Sequence, residues 1–177
     1  MDEEKEILGL RVFLGSFIAE IEKLYGKPTL NAMIYRIGQK PGEVVANQIL
    51  KKNNRSEDTP FEIPSAAFNL FENSITQLYE EEHVEFKKVN EKRYDIKIKN
   101  CCPLRDVIKS REELEFGGTL CQFTSGYFET ALKKLTGMNV SYDFIDKETT
   151  DEYCMINLIF RDLQKENELD TDDASEN

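Results

Sequence analysis

The apolar residues change their period near residue 83, and that change limits what this chain can fold into. Up to there they recur every three or four positions, and over Val84 to Ile98 they recur every second. A period near 3.6 marks a helix with an apolar face, and a period of two marks a strand with one wet face.

The first helix is expected from Glu6 to Tyr25, with Leu10, Phe13, Leu14, Phe17, Ile21 and Leu24 in its stripe. Ile7, Val12, Ile18 and Tyr25 widen that stripe beyond one face. So broad a stripe is buried either within the domain or against a second copy of the chain. Gly26 ends this helix and Pro28 opens the next, the usual placing of Gly at stops and Pro at starts. Pro41-Gly42 then forces either a kink or a break between two shorter helices. A third helix is expected over about 65–81, with Phe68, Phe71, Ile75, Leu78 and Tyr79 inward.

Val84 and Phe86, then Tyr94, Ile96 and Ile98, alternate with charged residues around a turn at Val89 to Lys92. That pattern predicts a hairpin with one solvated face. Thr119 with Gln122 fits a capping box for a fourth helix that runs to Gly137. Val140 to Ile145 and Tyr153 to Arg161 supply two more strands. The predicted order is α-α-α-β-β-α-β-β: an α+β domain in which an antiparallel four-stranded sheet packs against helices. It covers residues 1–162. Residues 163–177 hold six acidic residues and one lysine, too little apolar surface to fold, and read as a disordered acidic tail.

Charge narrows the function. The 177-residue chain carries −11, and the tail accounts for −5 of it. An acidic body argues against nucleic acid, whose affinity comes largely from Lys and Arg contacts to phosphate. No apolar run reaches the roughly 18–20 residues that span a bilayer. The acidic N-terminus is unlike a secretory signal, so the expected location is the cytoplasm. Four cysteines there are expected as thiols or metal ligands.

Two helical stretches and a terminal hairpin carry a family resemblance. Ala32-Met-Ile-Tyr-Arg-Ile-Gly-Gln-Lys-Pro-Gly42 is similar to a helix of the 4-vinyl reductase (hydrocarbon-binding) domain in which an apolar-Tyr-Arg run precedes two spaced glycines. Cys121-Gln-Phe-Thr-Ser-Gly-Tyr-Phe128 resembles that family's helix of a Cys followed by a Gly and an aromatic, and Glu152 to Phe160 resembles its terminal hairpin. The resemblance runs from about Tyr25 to Asp162. It implies a fold shared with subunits of the transport protein particle that tethers vesicles (the TRAPP type). It also implies a small apolar ligand in a cavity between sheet and helices, and a homodimer joined through helices.

On that fold Tyr35, Phe123, Tyr127, Phe128, Tyr142 and Phe144 would surround the cavity, where Tyr can offer both a ring and a hydroxyl. They would serve equally well as core filler. Some family members hold zinc with a Cys on the fourth helix, a Glu-x-x-Cys and a later Cys. Here Cys121 and Cys154 match the outer positions, while Asp143 and Asp146 stand where the Glu and middle Cys would be. Exchanging a thiolate for a carboxylate weakens selectivity for a soft metal. The alternative is that both cysteines are small buried apolar groups. Cys101 and Cys102, adjacent in sequence, are poorly placed to chelate one ion.

Catalysis has little to rest on. His83 is the one histidine, so no Cys-His or Ser-His pair forms without it. Gly117-Gly118 lacks the phosphate-loop pattern, and 146–152 lacks the mid-loop glycine of an EF-hand. The expected activity is binding, as a stand-alone sensor or carrier. The alternatives are an assembly subunit like those of the tethering particle, and a reductase or cofactor-maturation enzyme.

Overall fold

The computed structural model describes residues 3–75, 84–99, 104–112, 114–145 and 153–162. Its elements follow the period change. Helices α1 (Glu3–Tyr25), α2 (Lys27–Lys52) and α3 (Pro64–Ile75) come first, then strands β1 (Val84–Asn90) and β2 (Arg93–Lys99). After them come α4 (Arg105–Lys109), α5 (Cys121–Thr136), β3 (Asn139–Phe144) and β4 (Tyr153–Arg161). The sequence reading did not include α4, because five residues make barely one turn and leave no period to detect. Two other expectations are settled. Pro41 lies inside a single helix α2 and does not divide it. Thr119 does not cap α5: its hydroxyl bonds the Asn31 side chain at 2.7 Å, and Leu120, without a side-chain cap, precedes the helix. The hydroxyl is turned toward this tertiary partner and away from the first turn of α5, whose cap position is Leu120. The later part of the third helix, His83, Cys101, Cys102 and the 163–177 tail lie outside the described residues.

The strands form one antiparallel sheet in the order β1-β2-β4-β3. Its two hairpins meet through β2 and β4, where Tyr94 pairs with Leu158, Ile96 with Ile156 and Ile98 with Cys154. Those six side chains, with Phe160, are buried and form the inner face. Asp95, Lys97, Met155, Asn157 and Ile159 occupy the opposite face and are less buried. The strand alternation seen in the sequence is therefore the boundary between core and outer face.

Helices α2 and α5 make the most extensive helix contact in the described chain. Glycines make it close. A Cβ at Gly38 would lie 2.1 Å from the Phe123 carbonyl oxygen, and one at Gly126 2.1 Å from that of Tyr35. At Gly42 it would meet the Tyr127 carbonyl oxygen at 2.6 Å. Both helical stretches that carry the family resemblance thus meet backbone to backbone. Gly137 closes α5 in the left-handed region at φ 66°, its N–H donating to the Lys133 carbonyl at 2.8 Å.

Two apolar clusters result. The larger joins the inner sheet face to α3, α5 and the end of α2, and includes Phe68, Phe71, Phe128 and Leu132. The smaller holds Ile18, Leu30, Ile34, Val107, Ile108 and Leu120, where α1, α2, α4 and the start of α5 converge. Helix α1 reaches that cluster with Leu14, Ile18 and Ile21. Arg111 also fixes it, filling the space beside Gly15 and bonding Ser16 Oγ at 2.7 Å. The other face of α1 is bare: Leu10, Phe13 and Leu24 are 68%, 64% and 71% exposed. No helix among the described residues is long and apolar enough to cross a membrane.

Candidate functional site: an aromatic enclosure between sheet and helices

The inner sheet face supplies the floor of the site, and α3 and α5 supply its roof. Helical spacing brings Phe68 and Phe71 inward from α3 and Tyr127 and Phe128 inward from α5. Strand alternation brings Tyr94 from β2, Phe160 from β4 and Tyr142 from β3. Their rings touch. Phe71 meets Phe128 edge-on at 5.0 Å and Tyr127 at 5.6 Å, and Phe128 meets Tyr142 at 5.3 Å. Tyr94 stacks on Phe68 at 5.0 Å and meets Phe160 at 5.8 Å. Each such pair adds about 0.5–1.5 kcal/mol beyond burial.

This enclosure is not wholly apolar. The Tyr94 hydroxyl is buried without a well-formed hydrogen bond, with Ser65 as the polar group bearing on it. A buried hydroxyl left in that state costs about 1–3 kcal/mol, which a bonded partner would recover. Burial raises the Tyr94 phenol above its ordinary range and pushes that of Tyr127 up to about 12, so both stay neutral donors.

Of the six aromatics expected around a cavity, Tyr127, Phe128, Tyr142 and Phe144 join the larger cluster. Phe123 packs against the smaller one. Tyr35 turns toward the edge of the sheet, donating its hydroxyl to Glu129 Oε2 at 2.5 Å. The other Glu129 oxygen accepts the Tyr142 backbone N–H at 2.7 Å. One carboxylate so ties α2, α5 and edge strand β3 together. Burial first, then the hydrogen bond to Glu129, holds the Tyr35 phenol well above its usual range. Tyr94, Phe68 and Phe71 were expected inward but not at the site. The sequence signal for Tyr94 was a tyrosine at an inward strand position, which carries a hydroxyl onto an otherwise apolar face.

Of the expected metal ligands, Asp143 and Cys154 are set apart. Cys154 belongs to the inner face, opposite Ile98, and accepts a bond from the buried Arg105 guanidinium at 3.0 Å. Asp143 pairs with Asn157 and so belongs to the outer face. Side chains on opposite faces of one sheet cannot share an ion. Cys121 starts α5, packs against the smaller cluster and accepts the Gly117 N–H at 3.3 Å. Asp146 lies outside the described residues. Among the described residues no three His, Cys, Asp or Glu side chains converge as metal ligands do. Asp143 and Cys154 therefore cannot ligate one ion together.

No protein-family model matches the chain. No curated protein matches it by sequence. Solved structures do share its fold. One is a trafficking protein particle complex subunit 3 from Naegleria fowleri, covalently bound to palmitic acid. It aligns with a TM-score of 0.62 at 16% identity, over 90% of this chain and 98% of that one. Another is the phenol-responsive sensory domain of the transcription activator PoxR with phenol, with a TM-score of 0.62 at 15% identity. That alignment covers 90% of this chain and 79% of the other. At these identities the likeness establishes the α+β fold with its four-stranded antiparallel sheet, of the TRAPP-like type.

Proposed function

We propose that this chain binds a small apolar molecule with a hydrogen-bonding group, held among the aromatic rings between the sheet and helices α3 and α5. The observation that carries this reading is the buried Tyr94 hydroxyl, set among stacked rings without a well-formed hydrogen bond. A ligand that bonds that hydroxyl and spreads the rings gains apolar burial and recovers a donor at once. Binding one ligand state over another would shift the helices that roof the site, which is how a sensor passes on occupancy. That both structural neighbours hold small apolar ligands supports the reading, as does the resemblance to the hydrocarbon-binding 4-vinyl reductase domain. Nothing in it needs turnover, so the role is binding and not catalysis.

Calorimetric titration of the full chain with phenol, and separately with palmitate, tests this. Saturable binding of either probe, weakened about tenfold in Tyr94→Phe, is expected from the loss of one buried hydrogen bond. Two probes that bind only weakly and identically in parent and Tyr94→Phe would refute the site.

The reading includes a homodimer built on α1 and α2. The exposed apolar side chains of α1, with Met33, Ile37 and Val44 of α2, amount to on the order of 1,000 Å², against about 800 Å² per partner in a standard interface. Sedimentation should give a dimer at micromolar concentration and a monomer in the Phe13→Glu, Phe17→Glu double variant. A monomeric parent would overturn it.

A further inference from the structure

We propose that the corner where α2, α5, β3 and β4 meet is a binding site for a small oxyanion, a phosphate or a carboxylate. A cleft of about 270 Å³ opens there, with Tyr35, Gln39, Glu129, Lys133, Asn139 and Arg161 among its walls. The charge accounting carries the argument. Glu129 has both oxygens engaged, one by the Tyr35 hydroxyl and one by the Tyr142 N–H. The acids of the adjoining groove are engaged as well: Glu57 pairs with Lys134 at 2.9 Å and Glu43 with Lys40 at 3.3 Å. Among the described residues, Lys133 and Arg161 line the same cleft with no carboxylate in ion-pair reach.

Among the described residues the two cations share the cleft with one carboxylate, Glu129, whose oxygens are held by neutral donors, so its walls carry a net +1 in a chain of net charge −11. A cleft concentrates their field, the Arg fork suits a two-oxygen contact, and Lys adds a point charge. Gln39 contributes a neutral amide to the same wall. Lys133 also sits in the last turn of α5, where it balances the helix dipole. That role explains Lys133 but not Arg161, which comes from the end of β4. The site lies outside the aromatic enclosure and does not depend on the apolar-ligand reading.

The test is titration of the full chain with sodium phosphate, and in a second arm with sodium acetate, at ionic strength fixed by sodium chloride. Amide shifts in residues 130–142 and 161 report binding. Saturation is expected in at least one arm, the arm identifying the anion. Lys133→Ala and Arg161→Ala should each weaken it about tenfold, the effect of losing one charge-assisted hydrogen bond. Lys88→Ala, on the far edge strand, should leave it within about twofold. Non-saturating drift in both arms, or saturation that neither cleft substitution weakens, overturns the proposal.

Discussion

Replacing Gly126 with alanine probes the closest contact in the fold. The added methyl would lie 2.1 Å from the Tyr35 carbonyl oxygen, 3.0 Å from its carbon and 3.3 Å from the Gln39 nitrogen. Carbon contacts are comfortable at about 3.5 Å, so α2 and α5 must part by roughly 1 Å. All three atoms belong to the backbone and cannot rotate aside. Overpacking of this kind costs about 1–3 kcal/mol, and separating the most extensively packed helix pair places the cost toward the upper end. Alanine's better helix propensity offsets about 1 kcal/mol of it. A net loss of about 2 kcal/mol should lower Tm by roughly 4–8 °C in a chain of this size. Gly9→Ala is the matched control, because nothing lies within 4 Å of its added methyl. There only the propensity gain of about 1 kcal/mol remains, and Tm should rise slightly. Thermal melts followed by circular dichroism at 222 nm compare the two. A Gly126→Ala protein that melts with the parent, or above it like Gly9→Ala, would refute the close-crossing account.

Other perturbations separate local from tertiary roles. Thr119→Ala should cost about 1–2 kcal/mol in denaturant melts by stranding the Asn31 carbonyl, while Gln122→Ala stays within about 0.5 kcal/mol. Equal losses would restore the capping box. The Tyr127 phenol, raised to about 12 against an ordinary value near 10, gives a pH signature. Its folded value exceeds its unfolded one, so its contribution is intact below pH 10 and is lost as pH rises toward 12. Stability should therefore fall by on the order of 2–3 kcal/mol across that window, and by less in Tyr127→Phe. Identical alkaline slopes would count against burial of the hydroxyl. Elemental analysis addresses the metal: Asp143→Ala should leave zinc content at the parent level, because Asp143 and Cys154 occupy opposite sheet faces. A fall in zinc on that substitution would mean the strand register is wrong.

The period change at residue 83 made the layers legible, since periodicity set Phe68 and Phe71, Tyr94, Ile96 and Ile98, and the alternate residues Cys154, Ile156, Leu158 and Phe160 on common faces, which are the buried ones. What it could not supply was anything set by contact between distant elements. The Asn31 bond that draws Thr119 away joins residues 88 positions apart, and the Tyr35 bond to Glu129 spans 94. A pattern read within one helix holds no record of either. Asp143 and Cys154 are parted for a related reason. Spacing along the chain placed Asp143 near Cys154, but β3 and β4 pair in a register that sets Asp143 beside Asn157. In a sheet, one position of register separates neighbours from residues on opposite faces. Helix α1 was harder still. Its apolar residues surround the helix, and only the fold shows that Leu14, Ile18 and Ile21 face inward while Leu10, Phe13 and Leu24 do not.

The glycines within the stretches that carry the family resemblance have a role distinct from the one proposed for the aromatic rings. Gly38, Gly42 and Gly126 lie where two helix backbones touch, and a methyl at any of them would meet a carbonyl oxygen within 2.6 Å. Their spacing reports how α2 and α5 cross, which any protein of this fold must solve whatever it binds. The rings of the enclosure are constrained differently. They must fill a volume and leave a polar handle, and Phe, Tyr and Leu can share that task in many arrangements. The fold itself persists at about 15% identity, as between the PoxR sensory domain and this chain. Under the proposed function, ligand choice would rest instead on where a hydroxyl such as that of Tyr94 is left without a well-formed bond in the core. That is a property of the packed molecule, and it is why the buried phenol, and not the motif, is the place to probe specificity.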